Sequence, residues 1–343
     1  MRLGPAPRWS GVPSVADMSS TFVARPRASA AVEGFAPHPV WGPLAPLIAD
    51  AAVTDVFVNG GDGVFVDRGA GAVRWEGWDA EESAARELAV ALIARGGRHL
   101  DEAAPCVDVR LEGRARVHAV LPPISAAGTT ISVRLPRQLD VDLGGLQRRG
   151  MFDAAMRTRL EALIHDRVNV LVTGAGGSGK TTLLGALLSL APATERIVTI
   201  EDVAELRIAH PHHVRLEARQ PNLEGAGGVG LARLVRESLR MRPDRLVVGE
   251  CRGEEVRELL TALNTGHDGG AGTLHANGLD DVPARLEALG ALAGLDDRAL
   301  ARQATSAFGA VVHLVRAVDG ARRVAGVGRP VVRDGRLAIE RVS

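Results

Sequence analysis

The motif G-x-x-x-x-G-K-T occurs once in the sequence, as Gly174-Ala175-Gly176-Gly177-Ser178-Gly179-Lys180-Thr181. An apolar stretch that reads as a strand, 169–173, precedes it, and a helical stretch, 182–190, follows it. This context is the one a phosphate-binding loop requires, because the glycines let backbone N–H groups turn toward phosphate oxygens and the helix N-terminus adds the positive end of its dipole. The alternative is a glycine-rich turn without a ligand. The pattern predicts a nucleotide-binding α/β domain centred on this strand, loop and helix.

Two side chains of the motif carry its chemistry. Lys180 is expected to reach the β- and γ-phosphates, and the Thr181 hydroxyl is expected to bind Mg²⁺. Lys180 is also the only lysine in a chain rich in arginine, which indicates a position unsuited to arginine's wide planar fork. The expected nucleotide-binding residues are Gly174, Ala175, Gly176, Gly177, Ser178, Gly179, Lys180, Thr181 and Thr182.

Two further apolar strands are predicted to end in carboxylates. The strand 197–200 is followed by Glu201-Asp202, and the strand 246–248 is followed by Gly249 and Glu250. Ligands of open parallel sheets bind at the C-terminal ends of the strands. Gly249 stands where such a strand commonly has an aspartate, so Glu250 is the better candidate to orient or activate water. For Glu201-Asp202 alone, solvation of the strand exit is the competing interpretation.

A glycine-rich segment, 266–277, holds His267 and His275. A metal site is one interpretation, but no cluster of cysteine or acidic residues is available in the sequence to complete it. A neutral, hydrogen-bonding His275 at the end of a strand, close to the γ-phosphate, fits better. A core histidine without a ligand is the remaining alternative for this residue.

Composition narrows the function classes. Hydrophobic residues make up 46% of the 343 residues, enough for a core, and the 41 basic and 41 acidic side chains cancel. A neutral chain argues against a protein built to coat nucleic acid or an anionic membrane, and 3% aromatic residues without tyrosine argue against base-stacking platforms. We find no apolar run of the ~20 residues needed to span a bilayer. The N-terminus has no secretory signal pattern.

Four regions follow from the patterns along the chain. Residues 1–36 are expected to be a mobile leader, 37–137 an N-terminal α+β domain, 138–150 a linker, and 151–343 the nucleotide-binding domain. In the first domain, alternating residues predict antiparallel strands, and Asp79 with Glu82 suggests a capping box that opens a helix through Ala94. In the second, short and wholly apolar strands predict a parallel sheet flanked by helices. From about residue 309 a hairpin region of short strands is expected.

Together, the segments resemble the secretion ATPases of type II and type IV systems, also called traffic ATPases. The resemblance assigns a Walker A loop to 174–181, an Asp box to 199–202, a Walker B strand without its usual aspartate to 246–250 and a His box to 266–275. It covers roughly residues 40–328. The sequence also resembles the branch that assembles tight-adherence (Flp) pili (TadA/CpaF-like) and its conjugal-transfer-associated relatives. The similar segments are 54–60, 100–102, 116–120, 214–222, 239–245, 262–269 and 273–277.

The resemblance implies a RecA-like P-loop ATPase domain with a parallel sheet, preceded by a smaller α+β (PAS-like) domain. It implies Mg²⁺-dependent hydrolysis of ATP to ADP and phosphate in a homohexameric ring, with ATP bound between the two domains of a subunit. The implied catalytic residues are Lys180, Glu201, Glu250 and His275, and the implied Mg²⁺ residues are Thr181, Glu201 and Asp202. The implied arginine contacts to the phosphates are Arg134, Arg116, Arg110 and, from a neighbouring subunit, Arg240.

The expected function is a motor that powers pilus assembly or protein secretion at the inner face of the cytoplasmic membrane. Its expected partners are other copies of the chain and an inner-membrane platform protein, so the chain would be cytoplasmic and attached to the membrane through partners, without direct nucleic-acid binding. The first alternative is a DNA-handling RecA-class translocase for conjugal transfer. A non-enzymatic scaffold is disfavoured because Lys180, Thr181, Glu201 and Glu250 are all present.

Overall fold

The computed structural model describes residues 37–111, 115–135, 142–219, 226–317 and 320–342. The expected leader, 1–36, and the first part of the expected linker, 138–141, lie outside these ranges. The described residues fold into two compact units, the first ending by residue 138 and the second following it.

The first unit is built on a six-stranded antiparallel sheet with the strand order β3-β2-β1-β6-β5-β4. Buried and more exposed residues alternate along β1, β2 and β5, as expected for strands with one face on a core. Helices α1 (Ala45–Ala49) and α2 (Glu82–Arg95) contribute to that core. The strands are β1 (Asp55–Asn59), β2 (Val64–Asp67), β3 (Ala72–Trp75), β4 (Cys106–Leu111), β5 (Ala115–Val120) and β6 (Thr130–Arg134).

The start predicted for helix α2 is wrong. The helix begins at Glu82 rather than after Asp79, and its N-cap residue, Glu81, makes no side-chain capping hydrogen bond. The Glu82 carboxylate instead accepts hydrogen bonds from the Thr129 backbone N–H (2.6 Å) and from Thr129 Oγ1 (2.7 Å). A contact between residues 47 positions apart therefore replaces the local capping box.

The second unit is built on an eight-stranded sheet with the order β14-β13-β12-β7-β11-β10-β8-β9. The six strands from β12 to β9 are parallel, which confirms the predicted parallel sheet. The strands are β7 (Val170–Gly174), β8 (Ile197–Glu201), β9 (His213–Glu217), β10 (Arg245–Val248), β11 (Ala271–His275), β12 (Ala310–Arg316), β13 (Arg322–Arg333) and β14 (Arg336–Val342).

Helices cover both faces of this sheet, which is why every residue of its strands β7, β8 and β10 is buried. Along β10, Leu246 and Val248 belong to one apolar core while Val247 belongs to the other. The first core includes residues of α6 (Leu231–Ser238), α7 (Glu255–Leu263), α8 (Val282–Leu292) and α9 (Asp297–Ala307). The second includes residues of α3 (Leu143–Arg148), α4 (Ala154–His165) and α5 (Lys180–Leu188).

Two segments differ from the sequence-based expectation. The expected linker contains helix α3, whose Leu143 and Leu146 are buried in the second core. The expected terminal hairpin region is confirmed, because β12 pairs antiparallel with β13 and β13 pairs antiparallel with β14. Its strands are longer than expected, with 12 residues in β13, and β12 also lies inside the main sheet, parallel to β7. Alternation of residue types does not reveal which strand will be the neighbour of another, so the sequence could not place β12.

The Walker B strand β10 is anchored at its first residue. The Arg245 side chain is 1% exposed, and its guanidinium donates to a Glu195 carboxylate oxygen and to the carbonyl oxygens of Ile164 and Gly269. Burying a charged group is costly unless partners such as these satisfy it. This network fixes the start of β10 and so helps set the position of the strand's far end, where Glu250 follows.

Candidate functional site

Four predicted segments meet at one edge of the second sheet. Strands β7, β11, β10 and β8 are consecutive neighbours and run parallel. Their C-terminal ends lead to Gly174, His275, Glu250 and Glu201, respectively. The structure thus brings together the phosphate loop, the two carboxylate-bearing strand ends and the glycine-rich histidine segment, at the sheet edge where ligands of such folds bind.

The phosphate loop has the backbone that its glycines predict. Gly174, Gly177 and Gly179 all have positive φ angles (150°, 70° and 97°), and a Cβ on Gly174 would lie 2.4 Å from the Leu314 carbonyl oxygen. In the described chain, the N–H groups of Gly176 and Gly177 donate to no protein acceptor. Exposed donors on a turned glycine loop form a concavity that suits an anion.

Lys180 begins helix α5 and lies under the loop with 7% of its surface exposed. Its Nζ donates to the carbonyl oxygens of Gly174 and Ala175, both at 3.0 Å. Burial lowers the pKa of Lys180 below its ordinary value, although the nearby Glu250 carboxylate opposes that shift. Burying a charge is costly unless it is paired, so this ammonium group is suited to an anionic ligand.

The remaining loop residues surround this ammonium group. Thr181 and Thr182 lie in the first turn of α5 and are half-buried, whereas Ala175 is exposed. Ser178 is fully buried, and its Oγ has no hydrogen-bond partner among the described residues. The loop therefore places backbone N–H groups and hydroxyls around the ammonium group of Lys180.

Glu201, at the end of β8, is 4% exposed. Its Oε1 accepts hydrogen bonds from the backbone N–H groups of Glu205 and Leu206, both at 2.9 Å, while Oε2 has no partner within the described ranges. Burial raises the pKa of Glu201 above its ordinary value, despite those two hydrogen bonds. Asp202, the next residue, is about half exposed. One oxygen of a buried carboxylate is thus left for a ligand.

The structure gives a steric reason for the glycine at position 249. A Cβ on Gly249 would lie 2.5 Å from Glu201 Cγ and 3.0 Å from its Oε1. An aspartate on β10 would therefore displace Glu201, so the carboxylate in this space is supplied by β8. The glycine that looked like a departure from the usual strand pattern is required by its neighbour.

We expect Gly249→Ala to lower nucleotide hydrolysis at least about tenfold, because a displacement of about 1 Å in a positioned group can cost up to about 10²-fold. The measurement is the hydrolysis rate together with the unfolding temperature. Gly326→Ala is the matched control, since a Cβ there would meet only Arg341 Nη1, at 3.9 Å. Equal rates for the two variants would contradict this account of Gly249.

Glu250 lies between two basic side chains. Arg252 Nη2 donates to Glu250 Oε2 at 2.8 Å, and His275 Nε2 lies 3.0 Å from Glu250 Oε1. Burial alone would raise the pKa of Glu250, but Arg252, His275 and Lys180 together hold it below its ordinary value. Burial and the charge of Lys180 lower the pKa of His275. At neutral pH the pair is therefore a carboxylate beside a neutral imidazole, as predicted for His275.

The other histidine of this segment points elsewhere. His267 Nδ1 lies 3.1 Å from the Ala262 carbonyl oxygen. Throughout the described residues, no group of three or more His, Cys, Asp or Glu side chains is arranged to hold a metal ion. A metal at this site would therefore need hydroxyl, phosphate or water ligands besides carboxylates.

An open cleft of about 330 Å³ adjoins the phosphate loop. It lies against Ala175 and Gly176 of the loop and against His275, with Asn277 beyond that histidine. Asp281 and the exposed Arg285, at the start of α8, form its outer side. Gly176 of the loop and His275 thus border space that a ligand can enter.

The arginines implied as phosphate contacts divide between the two units. In the first, Arg110, Arg116 and Arg134 are directly opposite one another on β4, β5 and β6, so they form a row on one face. Arg134 Nε lies 4.0 Å from Asp55 Oδ1 at the end of that row. In the second unit, Arg240 is 77% exposed and pairs with Glu237 at 2.8 Å.

Sequence reasoning missed three basic residues near the loop. Arg252 contacts Glu250, Arg285 lines the cleft, and Arg322 Cδ lies 3.3 Å from where a Cβ on Gly179 would be. The arginine contacts implied by the resemblance came from the first unit or from a neighbouring subunit, and they did not include Arg252. Its position two residues after a strand-end carboxylate was the available signal.

One sequence family, described as "Type II/IV secretion system protein", matches residues 40–337. A putative conjugal transfer protein of Mycobacterium tuberculosis is 48% identical over 302 residues, 86% of each chain. The conjugal transfer protein TrbB of Rhizobium radiobacter is 31% identical over 251 residues, 72% of this chain and 75% of its own.

Two solved structures share the fold. The pilus retraction motor PilT with bound ADP has a TM-score of 0.57 at 23% identity, covering 85% of this chain and 79% of its own. The ATPase DotB of Legionella pneumophila has a TM-score of 0.55 at 20% identity, covering 81% and 77%. These likenesses confirm the expected architecture, a smaller N-terminal domain followed by a RecA-like α/β domain.

Proposed function

Since the chain belongs to the type II/IV secretion system protein family, we propose that it hydrolyses ATP in a Mg²⁺-dependent reaction and acts as a motor in pilus assembly or protein secretion. One observation carries the enzymatic part of this proposal. A phosphate loop with a buried lysine and free N–H groups lies at the same sheet edge as the carboxylates of Glu201 and Glu250.

ATP would bind with its phosphates in the loop 174–181. The N–H groups of Gly176 and Gly177 would bind phosphate oxygens, and Lys180 would exchange its two carbonyl partners for the β- and γ-phosphates. Its present partners are neutral, so an anion is a stronger partner for the buried ammonium group.

The residues beside the loop fit Mg²⁺. Glu201 has one buried oxygen without a partner among the described residues, Asp202 follows it, and Thr181 lies in the first turn of helix α5. Oxygen ligands of this kind, completed by phosphate and water, are those Mg²⁺ prefers. When bound, the ion would neutralise charge on the phosphates.

Hydrolysis requires a group that orients or activates water, and Glu250 is placed for it. It lies at the end of a strand next to β8, is ionised, and has His275 at 3.0 Å. Neutral His275 would sense whether the γ-phosphate is present, because it lines the same cleft as Gly176 of the phosphate loop. A positioned base of this type typically contributes 10²–10⁴-fold in rate.

Assembly into a ring would complete the site. The row Arg110, Arg116 and Arg134 and the exposed Arg240 are the arginines proposed to reach phosphates, the latter across a subunit interface. An arginine supplied in trans can contribute 10³–10⁵ in rate. A homohexamer is therefore proposed as the active form, attached to the inner face of the cell membrane through a platform protein.

Among the described helices, none has the length and apolarity needed to cross a membrane.

We expect the ATPase activity per chain to rise with protein concentration as the ring assembles, with mass measured in parallel by light scattering. Mixing Lys180→Ala chains with Arg240→Ala chains should restore part of the activity, because the intact phosphate loop of an Arg240→Ala chain receives Arg240 wherever its neighbour is a Lys180→Ala chain. Flat activity from monomer to oligomer would contradict ring completion. Absence of rescue in fully assembled mixtures would exclude Arg240 as the residue in trans.

A DNA-handling translocase is the second candidate, because two relatives bear names that refer to conjugal transfer. The neutral net charge and the scarcity of aromatic residues disfavour it. Stimulation of the ATPase by DNA that weakens as salt is raised would favour the translocase over the secretion motor.

A further inference from the structure

Arg252 connects the carboxylates that follow two neighbouring strands. Its Nη2 donates to Glu250 Oε2 at 2.8 Å, and its Nη1 lies 3.8 Å from Asp202 Oδ2. Glu250 follows β10 and Asp202 follows β8, and these strands are adjacent in the sheet. The proposed function gives Arg252 no role.

The backbone of Arg252 is held in place by a buried carboxylate. Glu255, in the first turn of α7, is 5% exposed, and its Oε1 accepts hydrogen bonds from the backbone N–H groups of Arg252 and Gly253. The starting point of the Arg252 side chain is therefore held by a buried carboxylate. The side chain itself is 58% exposed, so it reaches Glu250 from the solvent side.

We propose that Arg252 is a positioning residue for ATP hydrolysis, holding the Glu250 carboxylate in one orientation at the edge of the phosphate site. The inference rests on the proposed function, in which Glu250 orients or activates the attacking water. With Oε2 bound to Arg252 and Oε1 beside His275, rotation of the carboxylate is restricted. Each oxygen still has a second lone pair for a water molecule.

Charge supports the same role. The groups that act on the ionisation of Glu250 are Arg252, His275 and Lys180, and burial opposes all three. Arg252 is the strongest of them, through its hydrogen bond and its charge. Without Arg252, the balance moves toward burial and the pKa of Glu250 rises. A carboxylate that takes up a proton cannot accept one from water, so the acid side of the activity profile moves to higher pH.

The shape of the side chain matters as well as its charge. The planar fork of arginine has separate nitrogens for Glu250 and Asp202, whereas a lysine ammonium group is a single point. Arg252→Lys should keep the contact with Glu250 and lose the approach to Asp202. We expect it to be intermediate between the wild type and Arg252→Gln.

The test compares Arg252→Gln and Arg252→Lys with Arg257→Gln. Arg257 is exposed on α7 and makes no side-chain ion pair within the described part of the chain, so its removal controls for loss of one positive charge. One readout is kcat and KM for ATP across pH. The other is the titration of the Glu250 carboxyl by ¹³C NMR of glutamate-labelled, nucleotide-free chain, with Glu250→Gln to assign the signal.

We expect Arg252→Gln to lower kcat roughly tenfold to a hundredfold with little change in KM, and to move the acid limb and the Glu250 titration to higher pH together. Arg257→Gln should change neither. A lower unfolding temperature with an unmoved acid limb would show a merely structural role and overturn the inference, as would a rise in kcat. If the wild type hydrolyses no ATP, the proposed function fails, while the NMR titration still decides whether Arg252 controls Glu250.

Discussion

Lys180→Ala is expected to reduce ATP turnover to background. The ammonium group lies beneath the phosphate loop and is the only lysine of the chain, so its removal leaves the γ-phosphate without its main cationic partner. Lys180→Arg should also be poor, because the fork of arginine does not fit where a compact ammonium group donates to two adjacent carbonyl oxygens. The measurement is steady-state phosphate release by each variant.

Folding provides the control for Lys180→Ala. Burial lowers the pKa of Lys180, which means that the buried charge destabilises the nucleotide-free protein. Because removing this charge does not remove a stabilising group, we expect Lys180→Ala to keep the circular dichroism spectrum and the oligomeric mass of the wild type. Turnover equal to that of the wild type would exclude Lys180 from the proposed role. If Lys180→Ala loses turnover and its circular dichroism spectrum also changes, the role of Lys180 is assessed from Lys180→Arg, because that variant keeps the positive charge.

Glu250→Gln should keep ATP binding and lose hydrolysis by ~10²-fold or more, the scale for removing a positioned general base. The amide retains the shape of the carboxylate and can still accept from Arg252, but it cannot take a proton. Binding is measured with a fluorescent ATP analogue, and hydrolysis in a single turnover.

Glu254→Gln is the matched control for this variant. Glu254 is exposed, immediately precedes α7 and makes no side-chain capping hydrogen bond. Both its affinity and its rate should equal those of the wild type. If Glu250→Gln instead loses nucleotide affinity while bound ATP is still hydrolysed at the normal rate, Glu250 binds the metal ion or supports the fold and does not orient or activate water.

The central strand, loop and helix were predictable because their signals are local. The motif fixes the glycine backbone and the helix start, and wholly apolar stretches identify strands buried on both faces. The bounds shifted slightly, since the strand is Val170–Gly174 rather than 169–173 and the helix is Lys180–Leu188 rather than 182–190. Hydrogen bonding at element ends depends on neighbours, which pattern alone does not give.

The features that were missed depend on contacts between distant positions. Gly249 is required by Glu201, 48 residues earlier, and Glu82 leaves its expected local role for Thr129. Arg252 follows Lys180 by 72 positions in the sequence, whereas in the sheet the end of β10 is only two strands from the end of β7. Strand order, rather than sequence proximity, decides which side chains share a site.

The most direct test of the central claim is phosphate release from ATP by the purified wild-type chain, followed across protein concentration with Mg²⁺ and with the ion removed by a chelator. The account predicts release of phosphate and ADP in equal amounts, dependent on Mg²⁺ and increasing per chain as oligomers form. Stable, assembled protein that releases no phosphate from ATP with Mg²⁺ present would contradict it.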